Sequence, residues 1–212
     1  WLKSAVIAQV RPLTATQEGT FASLEKVLRH YAEMGVNCIW LAPVYDPGKN
    51  GNGYSNLGPH TIDPRLTGTD DYDEGWARLR SFTVAAHKMN IRIILDIISW
   101  GTVLGSELEK EHPDWYIEDR EWGGSAFDWK NAEFREWYIK TAVDIVVKTD
   151  CDGFRYDVEP HYAGYDVDGE IRKRLMALGK KPFMLSEWGN ERRGAYDCEQ
   201  MLVLGCEKGY RT

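Results

Sequence analysis

Short apolar runs alternate along this chain with segments in which apolar positions recur every three or four residues. The runs predict strands over 5–10, 37–42, 91–98, 153–158 and 183–187. Between the first two, Phe21, Leu24, Leu28 and Tyr31 share one helical face over 20–34, and Gly35 supplies a stop. Tyr72, Trp76, Leu79, Phe82 and Ala86 predict a second helix over 71–89. A third spans 132–148, with Asn131 as N-cap and Phe134, Tyr138, Thr141 and Ile145 on one side. A fourth covers 169–178 and ends at Gly179. Such alternation calls for a parallel sheet with helical crossovers.

A doubly wound sheet and a (β/α) barrel both satisfy this order. The first would be favoured by a glycine-rich turn after the first strand, where the chain has Arg11-Pro12-Leu13-Thr14. The only near match, Gly51-Asn52-Gly53-Tyr54-Ser55-Asn56, lacks the third glycine and reads as a turn. The expected architecture is therefore α/β of the (β/α)8 TIM-barrel type, with about five of the eight units present. Residues 1–212 are read as one partial barrel domain, with 101–130 as a small inserted loop region after the third strand. That excursion carries Trp115, Trp122 and Trp129, and 44–69 is a second long connection; loops of such length are commonly functional or hold small elements of their own. Trp115 is expected to fill a small core beneath its loop.

Composition narrows the partners. A net charge of -7 and the lack of a basic patch argue against nucleic acid, and no apolar run approaches a membrane span. Cys38 reads as a buried apolar residue, whereas Cys198 and Cys206 could pair in an oxidising compartment; localisation stays open, with an extracellular or periplasmic setting favoured. The histidines at 30, 60, 87, 112 and 161 show no HExxH spacing, so a zinc hydrolase has little support.

The candidate chemistry lies at two strand ends. In Gly153-Phe154-Arg155-Tyr156-Asp157, alternation puts Arg155 and Asp157 on one face, where the guanidinium favours an ionised aspartate. Pro182-Phe183-Met184-Leu185-Ser186-Glu187-Trp188 again finishes an apolar run with a carboxylate. Asp96 stands toward the carboxyl end of the run 91–98 and is read as supporting the site by hydrogen bonding. Paired carboxylates suggest glycoside hydrolysis, in which one attacks or activates water and the other protonates the leaving oxygen.

In order and spacing these segments resemble the α-amylase family, glycoside hydrolase family 13. Gly53-Tyr54 with Ile62-Asp63-Pro64 resembles the loop after its second strand, Ile91 through Ile98 its third strand, Gly153 through Asp157 its fourth and Leu185-Ser186-Glu187-Trp188 its fifth. The resemblance implies a retaining glycoside hydrolase or transglycosidase acting on α-glucosidic bonds of oligo- or polysaccharides. It would make Asp157 the nucleophile, Glu187 the acid/base and Arg155 the residue that orients the nucleophile. Tyr54 would stack on the sugar, His161 would stand near the leaving group, and Trp100 is a further sugar-contact candidate. The chain departs from the family at Ser99-Trp100-Gly101, where Asn and His usually follow the third-strand aspartate, and at Pro160, where a lysine is common in amylases acting on long chains. Trp100 replaces the asparagine often used for structural calcium, so that ion is not carried over, and the mechanism the resemblance implies needs no organic cofactor. The family's barrel has eight strands; five would leave an open edge, so a remaining barrel segment of the same polypeptide is expected to close it, with little hydrolase activity for the chain alone. The alternative is a non-catalytic barrel serving as a binding or scaffold domain, as in transporter heavy chains that resemble this family.

Overall fold

A computed structural model describes residues 4–49, 51–120, 123–157, 165–187 and 197–199. In chain order the elements are β1 (Ile7–Val10), α1 (Pro12–Ala15), α2 (Phe21–Lys26), α3 (Leu28–Glu33), β2 (Cys38–Leu41), α4 (Pro64–Thr67), α5 (Tyr72–Lys88) and β3 (Arg92–Ile98). There follow β4 (Gly101–Val103), α6 (Glu107–Glu111), a 3-10 turn at Pro113–Trp115, β5 (Gly124–Ala126), α7 (Ala132–Thr149), β6 (Gly153–Asp157), α8 (Val167–Ala177), β7 (Phe183–Ser186) and β8 (Cys198–Glu199).

The main sheet has the order β1-β2-β3-β6-β7-β8, every neighbouring pair parallel. Strands are added in chain order with no reversal, and α2, α5, α7 and α8 lie side by side. A doubly wound sheet needs a switch point in its strand order, so this is an arc of a barrel. Ile39, Leu41, Ile93, Leu95, Phe154, Tyr156 and Met184 face the helices in the larger core. The opposite parity, Cys38, Trp40, Ile94, Phe183 and Leu185, forms a smaller cluster on the concave face.

Local chemistry explains the element ends. Asp71 caps α5 by accepting from the Glu74 amide, and Asn131 caps α7 by accepting from Glu133 and Phe134. The helix expected over 20–34 is divided at Val27 (φ -101°, ψ 1°), a β-branched residue of weak helix propensity that ends α2 and precedes α3. The helix expected from 169 starts instead at Val167, because Asp166 accepts from the Gly169 amide. The excursion at 101–130 contains an antiparallel β4-β5 hairpin and α6. A sixth strand, β8, extends the sheet beyond the five expected.

Within the excursion Trp115 is buried, stacked on His112 at 3.8 Å and packed against Phe134 and Trp137. Cys38 is buried, as expected of an apolar residue. His161, Pro160, Trp122 and Cys206 lie outside the described residues, and of Cys198 only the backbone is described. Among the described residues no helix is long and apolar enough to cross a membrane.

Candidate active site at the strand ends

Strand register converts sequence parity into a cluster. Trp40 pairs with Ile94 between β2 and β3, and Asp96 pairs with Arg155 and Ile98 with Asp157 between β3 and β6. Side chains two residues apart share a face, so Trp40, Asp96, Arg155 and Asp157 all face the concave side. Gly153 starts β6 at φ 144°, and a Cβ there would run into the Phe183 carbonyl. A glycine is therefore what lets β6 lie this close to β7.

Arg155 is the hub. Its Nη1 donates to Asp96 Oδ1 at 2.8 Å and to Asp157 Oδ1 at 2.6 Å, while Nη2 pairs with Glu187 Oε1 at 2.7 Å. The guanidinium and Asp96 are buried, and Asp157 and Glu187 retain some exposure toward the strand ends. Asp157 ends β6 and Glu187 follows β7, whereas Asp96 lies two residues inside the end of β3 and so occupies a deeper level than its expected strand-end position.

One positive charge here faces three carboxylates. Burial pushes Asp96 up to about 7, with Arg155 opposing the shift and Asp157 adding to it. Asp157 is also raised: desolvation outweighs the stabilising guanidinium, and Glu187 adds repulsion. The arginine effect expected from sequence is thus present but is not the largest influence. Close ion-pair geometry and the raised Asp96 and Asp157 carboxyls are compatible, because a single guanidinium cannot neutralise three carboxylates.

The remaining candidates divide. The Tyr54 hydroxyl donates to Asp96 Oδ2 at 3.3 Å, and burial raises its phenol. Trp100 is half-buried beside the hairpin, and a Cβ on Gly124 would strike its ring. Gly101 begins β4 so close to the opposite strand that a Cβ would meet the Ser125 carbonyl. A histidine therefore has no room where the resemblance would have placed one. Among the described residues no group of three or more His, Cys, Asp or Glu side chains is arranged to hold a metal ion.

Three supporting residues escaped the sequence reading. Trp40 Nε1 donates to Asp96 Oδ2 at 3.1 Å, Tyr45 donates its hydroxyl to the Asp96 carbonyl at 2.8 Å, and Ser99 donates to the Asp157 carbonyl at 3.0 Å. Trp40 shares the parity of a strand's inward face, which is the one signal that could have pointed to it.

Comparison with known proteins bears on the family and the fold. The family model described as Alpha amylase, catalytic domain, matches residues 12–112. The trehalose-6-phosphate hydrolase of Escherichia coli (strain K12) is 31% identical over 82% of this chain and 39% of that protein. The oligo-1,6-glucosidase IMA5 of Saccharomyces cerevisiae is 23% identical over 77% of this chain and 36% of that protein. Among solved structures, the maltogenic alpha-amylase AmyB from Thermotoga neapolitana matches with a TM-score of 0.78 at 28% identity, covering 93% of this chain and 49% of that one. The chain thus spans less than half the length of these relatives. An ordered arc of parallel strands, carboxylates at their ends and these likenesses lead to one assignment: the chain belongs to the α-amylase family, and its sheet is part of that family's (β/α)8 barrel.

Proposed function

We propose that this chain carries the active-site half of a retaining glycosidase or transglycosidase that cleaves α-glucosidic bonds of short oligosaccharides. The observation that carries the reading is that the two amino nitrogens of Arg155 hold Asp157 and Glu187, so the two acids face each other across one guanidinium. A double displacement needs carboxyls about 5 Å apart, on the same side of one scissile bond. In this scheme an Asp157 oxygen bonds to the anomeric carbon as the glycosidic C–O bond breaks, and Glu187 gives its proton to the departing oxygen. Water or a second sugar then attacks the glycosyl ester, returns a proton to Glu187 and frees Asp157.

Glu187 must exchange its Arg155 contact for the glycosidic oxygen in order to act as the acid. The excess of carboxylates over cations favours a retained proton within the cluster, which is what acid catalysis needs. Tyr54 would stack on the sugar, Asp96 would hold Arg155 from below, and Trp100 and His161 are proposed as further sugar contacts. The short-substrate assignment is supported by the relatives named for trehalose-6-phosphate and for oligo-1,6-glucosides, and by the departure at Ser99-Trp100-Gly101. An activated fluoroglycoside tests the reading: the full-length protein should be trapped as an ester on Asp157, read by peptide mass spectrometry. A folded protein left unmodified, with no turnover of α-glucosides, would instead be a binding or scaffold barrel.

A further inference from the structure

Trp40 touches both buried members of the charge cluster and belongs to neither. Its indole Nε1 donates to Asp96 Oδ2 at 3.1 Å, and the Arg155 guanidinium carbon sits 4.7 Å from the ring centroid. The residue is 6% exposed, on the inward parity of β2, beside the strand that carries Asp96. One side chain thus orients an anion through a donor and a cation through its π face.

The consequence is geometric. Arg155 Nη1 is shared between Asp96 and Asp157, which fixes Nη2 toward Glu187. If Asp96 turns about its side-chain bonds, the shared donor turns with it and the outer two carboxylates lose their common reference. Trp40 opposes that turn by engaging the second oxygen of Asp96, an oxygen it shares with the longer 3.3 Å Tyr54 bond, and its ring supports the guanidinium that the first oxygen holds. We infer that Trp40 is a positioning residue of this site, acting through Asp96 and Arg155 to hold Asp157 and Glu187 in register for the two-carboxylate chemistry. The inference rests on the glycosidase reading for its catalytic consequence but not for its structural content.

The test replaces Trp40 in the full-length protein with benzothienylalanine, which keeps ring and volume and removes only the N–H, and separately with phenylalanine. Losing one charge-assisted donor should lower kcat about tenfold with KM held within about twofold, and should move the pH profile of kcat/KM. Phenylalanine should behave like the isostere, since it retains an aromatic face, whereas Trp40→Leu should fall a further several-fold. A folded isostere with unchanged kcat and pH profile overturns the inference. Carbon-13 NMR titration of labelled aspartate carboxyls reads the same point without turnover: Asp96 should titrate higher once its indole donor is gone, and an unchanged titration also overturns it. If the wild type shows no turnover while the Asp96 titration moves as expected, the positioning role stands and the glycosidase reading falls.

Discussion

Deleting the hub cation tests the electrostatic account directly. Arg155→Met keeps an unbranched apolar chain in the space but leaves Asp96, Asp157 and Glu187 without the guanidinium they share. Removing one partner of a buried pair costs about 3–5 kcal/mol, because the remaining charge has neither water nor counterion. The penalty should depend on pH, with a sign fixed by the carboxyls. Asp96 is held at about 7 in the folded protein, above the roughly 3.9 of an unfolded aspartate. The folded state therefore keeps a proton that the unfolded chain releases; the associated stability is complete below about pH 4 and is lost as the pH rises toward 7. Without Arg155 the Asp96 and Asp157 carboxyls move higher still, so the variant loses more over the same range, about 1.4 kcal/mol for each added pKa unit per group. Urea unfolding of wild type and variant from pH 5 to pH 8 should show a gap of about 3–5 kcal/mol at the upper end that narrows markedly at the lower. A gap below about 1 kcal/mol, or one that stays constant across the range, would refute the reasoning.

Three further outcomes follow from the same structure. Asp157→Asn removes a negative charge from an over-acidic cluster, so at pH 8 it should raise the melting temperature while lowering glycosidase turnover by about 10⁴-fold or more; a destabilised variant would show that the cluster is not charge-frustrated. Gly153→Ala places a Cβ against the Phe183 carbonyl at a positive φ and should cost at least about 2 kcal/mol in chemical denaturation, with an unperturbed midpoint counting against the close approach of β6 to β7. His87, at the opposite end of the sheet, has its pKa raised first by its 2.8 Å bond to Asp152. That bond stabilises the fold below about pH 6.5 and its contribution is lost as pH rises through the folded-state pKa; His87→Gln should therefore narrow its stability deficit between pH 5.5 and pH 8, and a deficit independent of pH would argue against the ion pair.

Much of this molecule was legible one segment at a time. Strand and helix alternation pointed to a parallel sheet because runs with a period of two and faces with a period near 3.6 are local patterns. Asn131 was readable as a helix start because a cap acts within three residues of itself, whereas α5 was placed by its periodicity alone. The break at Val27 and the start of α8 at Val167, capped by Asp166, were less legible, since each depends on one side chain that interrupts or extends a periodic run. The two-residue β8 and the three-residue strands of the β4-β5 hairpin are too short to carry a period at all.

For the site, the chain alone determined that Arg155 and Asp157 share a face, because alternation along one strand is a covalent consequence of the extended backbone. Only the tertiary structure decided that Glu187 reaches the same guanidinium, that Asp96 lies below it and that Trp40 holds both. Those meetings depend on the register of β2, β3, β6 and β7, strands far apart in sequence. A slip of one residue would turn any of these groups into the helix-packed core. Register is set by packing across the whole sheet, so no single stretch of sequence contains it.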